Sequence, residues 1–302
     1  MLESSFFEYL NEHGYSYSCN EPMRKHTSFG IGGAADVFAR PVSIAQLCSL
    51  IRLLKTTGIP YHILGRGTNL LYPDAGYSGC VISTEHLAQI EVKNSLIRAE
   101  CGASLHSIAK VAAENGLIGW SGIAGIPASL GGAVRTNAAA FGNAVSDHLI
   151  DVGVYDAEKD VVHNLSKAAL AFGYRRSLLL LSPHLTVLWG IFRFPIGNTE
   201  EEWERYRHVG ELRRARQPIG ASAGSVFRNP QGLAAGKMLE DVGLKGHRIG
   251  GAEISKKHAN IIVNTGGATY EDVTSLIALA RDRVYRKFGV FLTPEIERMR
   301  IE

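Results

Sequence analysis

Between residues 119 and 145 the chain reads GWSGIAGIPASLGGAVRTNAAAFGNAV, with six glycines, many alanines and Arg135 as its one charged side chain. Ordering so much glycine costs backbone entropy, and small side chains return little packing. A fold that keeps such a segment must let something approach its backbone closely. A second glycine-bearing turn, GRGTN at 65–69, interrupts the apolar run from YHIL to LLY. Such bends can offer backbone N–H groups to an anion, and tight packing is the competing explanation. Neither segment is GxGxxG or GxxxxGK[ST], and no lysine follows the glycines, which argues against an ordinary ATP-hydrolysing site.

Around these segments helical and strand patterns mix. Ser43 opens SIAQLCSLIRLLKTTG with Gln46 three residues on, a capping box, and Leu47, Leu50, Ile51 and Leu54 share one helical face. Ser104 caps SLHSIAKVAAENG, which aligns Leu105, Ile108 and Ala112. YHIL, GCVI at 79–82, IEVKNSLIRAE and LTVLWGIFRF read as strands, and LIDVGVYDAEKDVVHN as a hairpin turning at DAEKD. WERYRHVGELRRAR reads as an exposed helix, with a domain boundary near residue 200. Beyond it GLAAGKMLEDVG and TYEDVTSLIALARDRVYRKFG are helical. Thr269 caps the second, Asp272 lies three on, and Ile277, Ala280, Val284 and Phe288 align.

The 302 residues are 45% hydrophobic, enough to fill a sizeable core. No apolar run reaches the roughly 18 residues a membrane span needs. The acidic start MLESSFFEYLNEHG lacks the basic end and apolar centre of a secretory signal, so a cytoplasmic chain with no membrane association is expected. A net charge of +3 does not argue for nucleic-acid binding. The local concentration in WERYRHVGELRRARQP suits either a phosphate-bearing small molecule or a solvated helix face. Cys19, Cys48, Cys80 and Cys101 form no CxxC pair and read as buried thiols. The eleven histidines form no HxxxH or HExxH, so no metal site is expected.

Three short stretches carry candidate chemistry. In GASAGSVFRNPQG, Ser225 lacks a GxSxG elbow and is a poor nucleophile. Its hydroxyl can deliver a proton if neighbouring groups favour the ionised form, or it can simply serve a tight turn. FGYRRSLL places Arg175 and Arg176 before an apolar run, where one can grip a carboxylate while the other faces away if the run is a strand. VFLTPEIERM sets Glu295 and Glu297 beside apolar residues.

Taken in order, HTSFGIGGAADV, ILGRGTNLL, GIPASLGGAVRTNAAAFG, FGYRRS, SAGSVFRNP, GLKGHRIGGAEISKKHANIIVN and GVFLTPEIE resemble the UDP-N-acetylenolpyruvoylglucosamine reductase family, the MurB flavoenzymes of peptidoglycan precursor synthesis. The resemblance spans most of the chain. It implies an α+β fold, with a two-lobed FAD-binding region of the MurB/vanillyl-alcohol-oxidase type over 1–200, including an N-terminal helical extension. A C-terminal α+β substrate domain would cover 201–302. FAD would be held non-covalently by Gly65, Arg66, Gly67, Thr68 and Asn69, and by Gly125, Ile126, Pro127, Ser129, Gly131, Gly132 and Ala133.

In this family hydride passes from reduced flavin to C3 of the enolpyruvyl group and C2 is then protonated. By resemblance Arg175 and Glu295 stabilise the substrate carboxylate region and Ser225 supplies the proton. Tyr174, Arg216 and Asn229 map onto substrate contacts. NADPH is the implied hydride donor, and with no second nucleotide fingerprint it would share one active site with the UDP-sugar. No obligate protein partner is implied. The shorter subclass is expected, since little room lies between LWGIFRF and the 203–216 helix for a tyrosine-bearing insertion. Ala128, Ala139, Arg135 and Thr136 depart mildly from the family pattern beside the flavin segment. An oxidase of the same superfamily would call for a substrate domain of different character, and often a flavin-linked histidine. A silent FAD-binding protein would have no chemical need for all three catalytic groups.

Overall fold

The computed structural model describes residues 2–299. It divides into two compact units, each discontinuous in sequence. The first takes residues up to Ser18, Val37–Arg66 and Gly79–Arg213; the second takes Cys19–Asp36, Gly67–Ser78 and the chain from Arg214 onward. Helices α1 (Ser4–Glu12), α2 (Ile44–Thr56), α3 (Leu105–Glu114) and α4 (Leu130–Thr136) belong to the first unit, and α5 (Thr199–Arg216) lies mostly there. α6 (Ala235–Asp241) and α7 (Tyr270–Phe288) belong to the second.

The main sheet of the first unit is antiparallel, in the order Val161–Ser166, Leu149–Asp156, Leu185–Arg193, Leu96–Glu100, Ile90–Lys93. In a second sheet Tyr61–Leu64 runs parallel to Tyr77–Ser83. The expected helices form for the reasons their sequences give. The Ser43 side chain accepts the Gln46 N–H, while Gln46 Oε1 reaches back to the Val42 N–H, one residue beyond the usual capping-box partner. Ser104 accepts the Ser107 N–H. Leu47, Leu50, Ile51 and Leu54 of α2 and Leu105, Ile108 and Ala112 of α3 are buried in one core with Val152, Val154 and Leu188 of the sheet.

The second unit is built on a three-stranded antiparallel sheet, Arg248–Ile249, Ala252–Ile254, Ile262–Asn264. A short parallel pair, Leu70–Leu71 with Glu297–Arg298, accompanies it. α7 has both halves of its Thr269/Asp272 capping box and ends at Gly289, whose φ of 67° needs no Cβ accommodation. Val273, Leu276, Ile277, Ala280 and Val284 are buried; Phe288, expected on the same face, is exposed because it ends the helix beyond the core.

The thiols differ from expectation at one position. Cys48, Cys80 and Cys101 are buried, and burial pushes them up to about 11, about 12 and about 12, so they stay protonated. Cys19 is exposed, on an outward position of the strand Ser16–Pro22.

Candidate active site

The turn at 65–69 packs closely against its neighbours. A Cβ on Gly65 would stand 2.0 Å from Ser129 Oγ, leaving no room unless that hydroxyl turns away. Gly67, at φ 60°, has no room either, because a Cβ would stand 2.0 Å from the His26 carbonyl oxygen. The N–H groups of Gly65, Arg66, Gly67 and Thr68 meet no acceptor among the described residues. The Asn69 side chain is committed within the second unit, where Nδ2 donates to the Glu295 carbonyl at 3.0 Å and its own carbonyl accepts the Glu297 N–H at 2.9 Å.

The glycine-alanine stretch is more internally bonded than its sequence suggests. Ile126 and Ala128 donate to Ile123 and Ile126, and the N–H groups of Leu130 and Gly131 donate to Ala103 and Cys101 at 2.8 Å. Packing therefore accounts for Gly131, where a Cβ would meet Cys101 at 3.3 Å. Gly125, Ser129 and Gly132 keep N–H groups with no acceptor among the described residues. Ser129 is buried at the start of α4 without capping it, because its hydroxyl faces Gly65.

FGYRRS forms a tight turn and not a strand, with Gly173 and Arg176 exchanging backbone hydrogen bonds at 3.0 and 3.2 Å. Arg175 sits at φ 51°, a left-handed conformation that costs a residue with a Cβ about 1–2 kcal/mol. The surroundings hold it there. Asn137 Nδ2 donates to the Gly173 carbonyl at 3.0 Å, Ser177 Oγ donates to the Arg135 carbonyl at 2.6 Å, and both Arg175 Nη groups donate to the Ala139 carbonyl at 3.2 Å. The guanidinium carbon lies 5.5 Å from the ring centroid of Tyr174, which is largely exposed. The turn thus fixes the stem of Arg175 at the C-terminal end of α4.

In the second unit Ser225 lies on an extended segment bridged to Ile261, and Phe227 on the same segment is bridged to Pro294. The Glu295 N–H donates to the Val226 carbonyl at 2.7 Å, so Ser225 and Glu295 occupy adjacent backbone segments. Asn229 Oδ1 accepts the Ala235 N–H at 3.0 Å, tying the end of the serine segment to the first turn of α6. Arg216 is exposed at the last residue of α5. Arg175 and the segment 125–133 belong to the first unit; Ser225, Asn229 and Glu295 belong to the second.

Sequence reasoning passed over Asn260. It is 4% exposed, its Oδ1 accepts the Phe227 N–H at 3.0 Å, its Nδ2 donates to the Phe227 carbonyl at 2.8 Å, and its carbonyl accepts the Val226 N–H at 2.8 Å. One side-chain amide thereby acts as a strand partner for the residues after Ser225. Asn260 is set by His258, whose Nδ1 accepts the Asn260 N–H at 3.3 Å. Burial first, and then Lys245, holds the His258 imidazole below its ordinary range, which keeps that acceptor unprotonated. The one signal in the sequence was a polar amide directly before the apolar run IIV.

Two family models match the chain, an FAD binding domain over residues 34–164 and the C-terminal domain of UDP-N-acetylenolpyruvoylglucosamine reductase over residues 216–299. A UDP-N-acetylenolpyruvoylglucosamine reductase from Caldanaerobacter subterraneus subsp. tengcongensis is 44% identical over 279 residues, covering 92% of each chain. The chain belongs to the UDP-N-acetylenolpyruvoylglucosamine reductase family. A reductase of the same name from Synechococcus is 41% identical over 91% of this chain and 88% of that one. The crystal structure of the Thermus caldophilus UDP-N-acetylenolpyruvylglucosamine reductase matches with a TM-score of 0.79 at 32% identity, covering 94% of this chain and 98% of that one.

FAD is the cofactor this membership brings, and the residues fit it. The N–H groups of residues 65–68, and separately those of Gly125, Ser129 and Gly132, meet no acceptor among the described residues, which is the backbone chemistry that suits a diphosphate. No helix among the described residues is long and apolar enough to cross a membrane.

Proposed function

We propose that Arg175, Ser225 and Glu295 carry the chemistry of the family reaction. In that reaction UDP-N-acetylglucosamine enolpyruvate is reduced to UDP-N-acetylmuramate with NADPH as hydride donor, in peptidoglycan precursor synthesis. The observation that carries the reading is 44% identity to a named reductase across 92% of both chains. The division of labour follows the matched domains. Residues 1–200 would form the FAD-binding region and 201–302 the substrate-binding region, which the matches over 34–164 and 216–299 support, although Cys19–Asp36 and Gly67–Ser78 cluster with the chain from Arg214 onward. Gly65, Arg66, Gly67, Thr68 and Asn69 would hold FAD together with Gly125, Pro127, Ser129 and Gly132, while Ile126, Gly131 and Ala133, whose N–H groups bond within the chain, would contribute by packing. NADPH and the UDP-sugar would use one site in turn. The protein would work in the cytoplasm without an obligate protein partner.

Bound FAD supplies a two-electron carrier between NADPH and the enolpyruvyl double bond. The protein's part is to handle the charge and the proton. Once C3 of the substrate has gained hydride, negative charge at C2 spreads into the neighbouring carboxylate as an enolate. The Arg175 guanidinium, with its backbone fixed in the left-handed turn, stabilises that carboxylate electrostatically. Glu295 can assist as a hydrogen-bond donor only in its protonated form. Ser225 gives its hydroxyl proton to C2. The enolate is a strong base, so the position of the hydroxyl matters more than a pKa near neutrality. Tyr174, Arg216 and Asn229 complete the substrate contacts, with Arg216 suited to phosphate or carboxylate.

The test is Ser225→Ala followed by half-reactions. NADPH should still bleach the flavin at the wild-type rate, whereas reoxidation by the enolpyruvyl substrate should slow by about 100- to 10,000-fold. Reoxidation at the wild-type rate would remove Ser225 from the proton-donor role.

A further inference from the structure

α5 is charge-rich and mostly exposed, yet its Glu202 is only 5% exposed. Glu202 Oε1 accepts the N–H groups of Gly119 at 3.0 Å, Trp120 at 3.1 Å and Ser121 at 2.9 Å. Three successive amides converging on one oxygen make an anion-binding concavity, and here the chain fills it with its own carboxylate. The carbonyl of Gly119 faces His148, whose Nε2 lies 3.3 Å away while its Nδ1 lies 3.2 Å from the Arg193 carbonyl. A Cβ on Gly119 would stand 2.6 Å from His148 Nε2, so the glycine is gripped from both sides.

Beyond Ser121 the segment is a relay of short backbone turns. Ile123 and Ala124 donate to Trp120, Ile126 donates to Ile123, and Ala128 donates to Ile126. Glu202 anchors the first of these turns, the Gly122 N–H is held by Asn143 Oδ1 at 3.1 Å, and the far end is tied to Ala103 and Cys101. The far end of α5 supports the same loop, because a Cβ on Gly125 would meet Arg213 Cδ at 3.1 Å. α5 lies largely outside the stretches covered by the two matched domain families.

We infer that Glu202 is a positioning residue for FAD, fixing the 119–125 loop so that the backbone of Gly125–Ala133 is already ordered when the cofactor arrives. The inference rests on that segment being a cofactor contact. A carboxylate suits the task because charge-assisted hydrogen bonds are roughly twice as strong as neutral ones. Ordering a glycine-rich loop in advance lowers the entropy lost on binding.

The test titrates FAD into apoproteins by quenching of flavin fluorescence, with folding checked by circular dichroism. Glu202→Gln should raise the Kd for FAD about tenfold, equivalent to about 1.4 kcal/mol, and Glu202→Ala should raise it further. Excess FAD should restore turnover in both. If Glu202→Ala does not fold, Glu202→Gln, which keeps the shape and an acceptor oxygen, carries the test. A fall in apoprotein melting temperature with an unchanged Kd would reduce Glu202 to a purely structural role and overturn the inference. Gly132→Pro, which removes one of the free N–H donors in the first turn of α4, tests the cofactor segment independently. If it weakens FAD binding while Glu202→Gln does not, the brace is wrong and the cofactor segment stands; if neither affects Kd, both fall.

Discussion

Asn260 holds the segment after Ser225 with the two ends of one side-chain amide, and its removal would leave the buried N–H and C=O of Phe227 without partners. Asn260→Ala should therefore cost about 2–4 kcal/mol in urea unfolding. Asn260→Asp keeps the acceptor for the N–H but sets a carboxylate oxygen against the Phe227 carbonyl, and should fall at least as far. The neighbouring His258 makes the arrangement sensitive to pH. Its folded pKa is held below the ordinary 6.5, so the unfolded chain binds the extra proton first as pH falls. The His258 contribution to stability is complete above that value and is lost progressively beneath it. Urea midpoints at about pH 7.5 and about pH 5.5 should show this decline, and His258→Gln should flatten it. A slope unchanged by the substitution would assign the pH dependence to other groups.

At the scale of elements, local chemistry was legible and long-range chemistry was not. Ser43, Ser104 and Thr269 announce helices because a cap and its acceptor lie within one turn of each other in sequence, and all three accept the expected N–H. The 173–176 turn was less readable. An arginine at φ 51° has no local signature, and the bonds that stabilise the turn come from Asn137 and from the Ala139 carbonyl. Glycine at this position should relieve the backbone cost of about 1–2 kcal/mol while removing the guanidinium. Arg175→Gly should thus change thermal stability little, the relieved backbone cost offsetting the lost Nη bonds to the Ala139 carbonyl, and cut turnover by at least about 100-fold, the scale of losing one electrostatic contact to developing charge. Loss of stability in parallel with turnover would mean that the Arg175 side chain mainly supports the turn. Glu202 was invisible for a related reason: in a charge-rich helix one more acid reads as a solvated residue, and the three amides it meets lie more than eighty residues earlier.

At the scale of the molecule, the ordered set of motifs pointed to the family, and the domain matches, the relatives and the Thermus caldophilus structure bear this out. The discontinuous units were not legible, because Cys19–Asp36 and Gly67–Ser78 carry the same strand and turn patterns as the residues around them. The glycine-alanine stretch proved to have two uses, since Gly131 serves packing while Gly125, Ser129 and Gly132 leave donors unsatisfied. The most direct measurement mixes FAD-loaded protein with NADPH in the absence of oxygen, follows flavin absorbance, and then adds UDP-N-acetylglucosamine enolpyruvate. The account predicts bleaching by NADPH, reoxidation only on addition of that substrate, and UDP-N-acetylmuramate as product. A flavin that bleaches but is not reoxidised by the enolpyruvyl sugar would contradict the substrate assignment while leaving the flavoprotein intact.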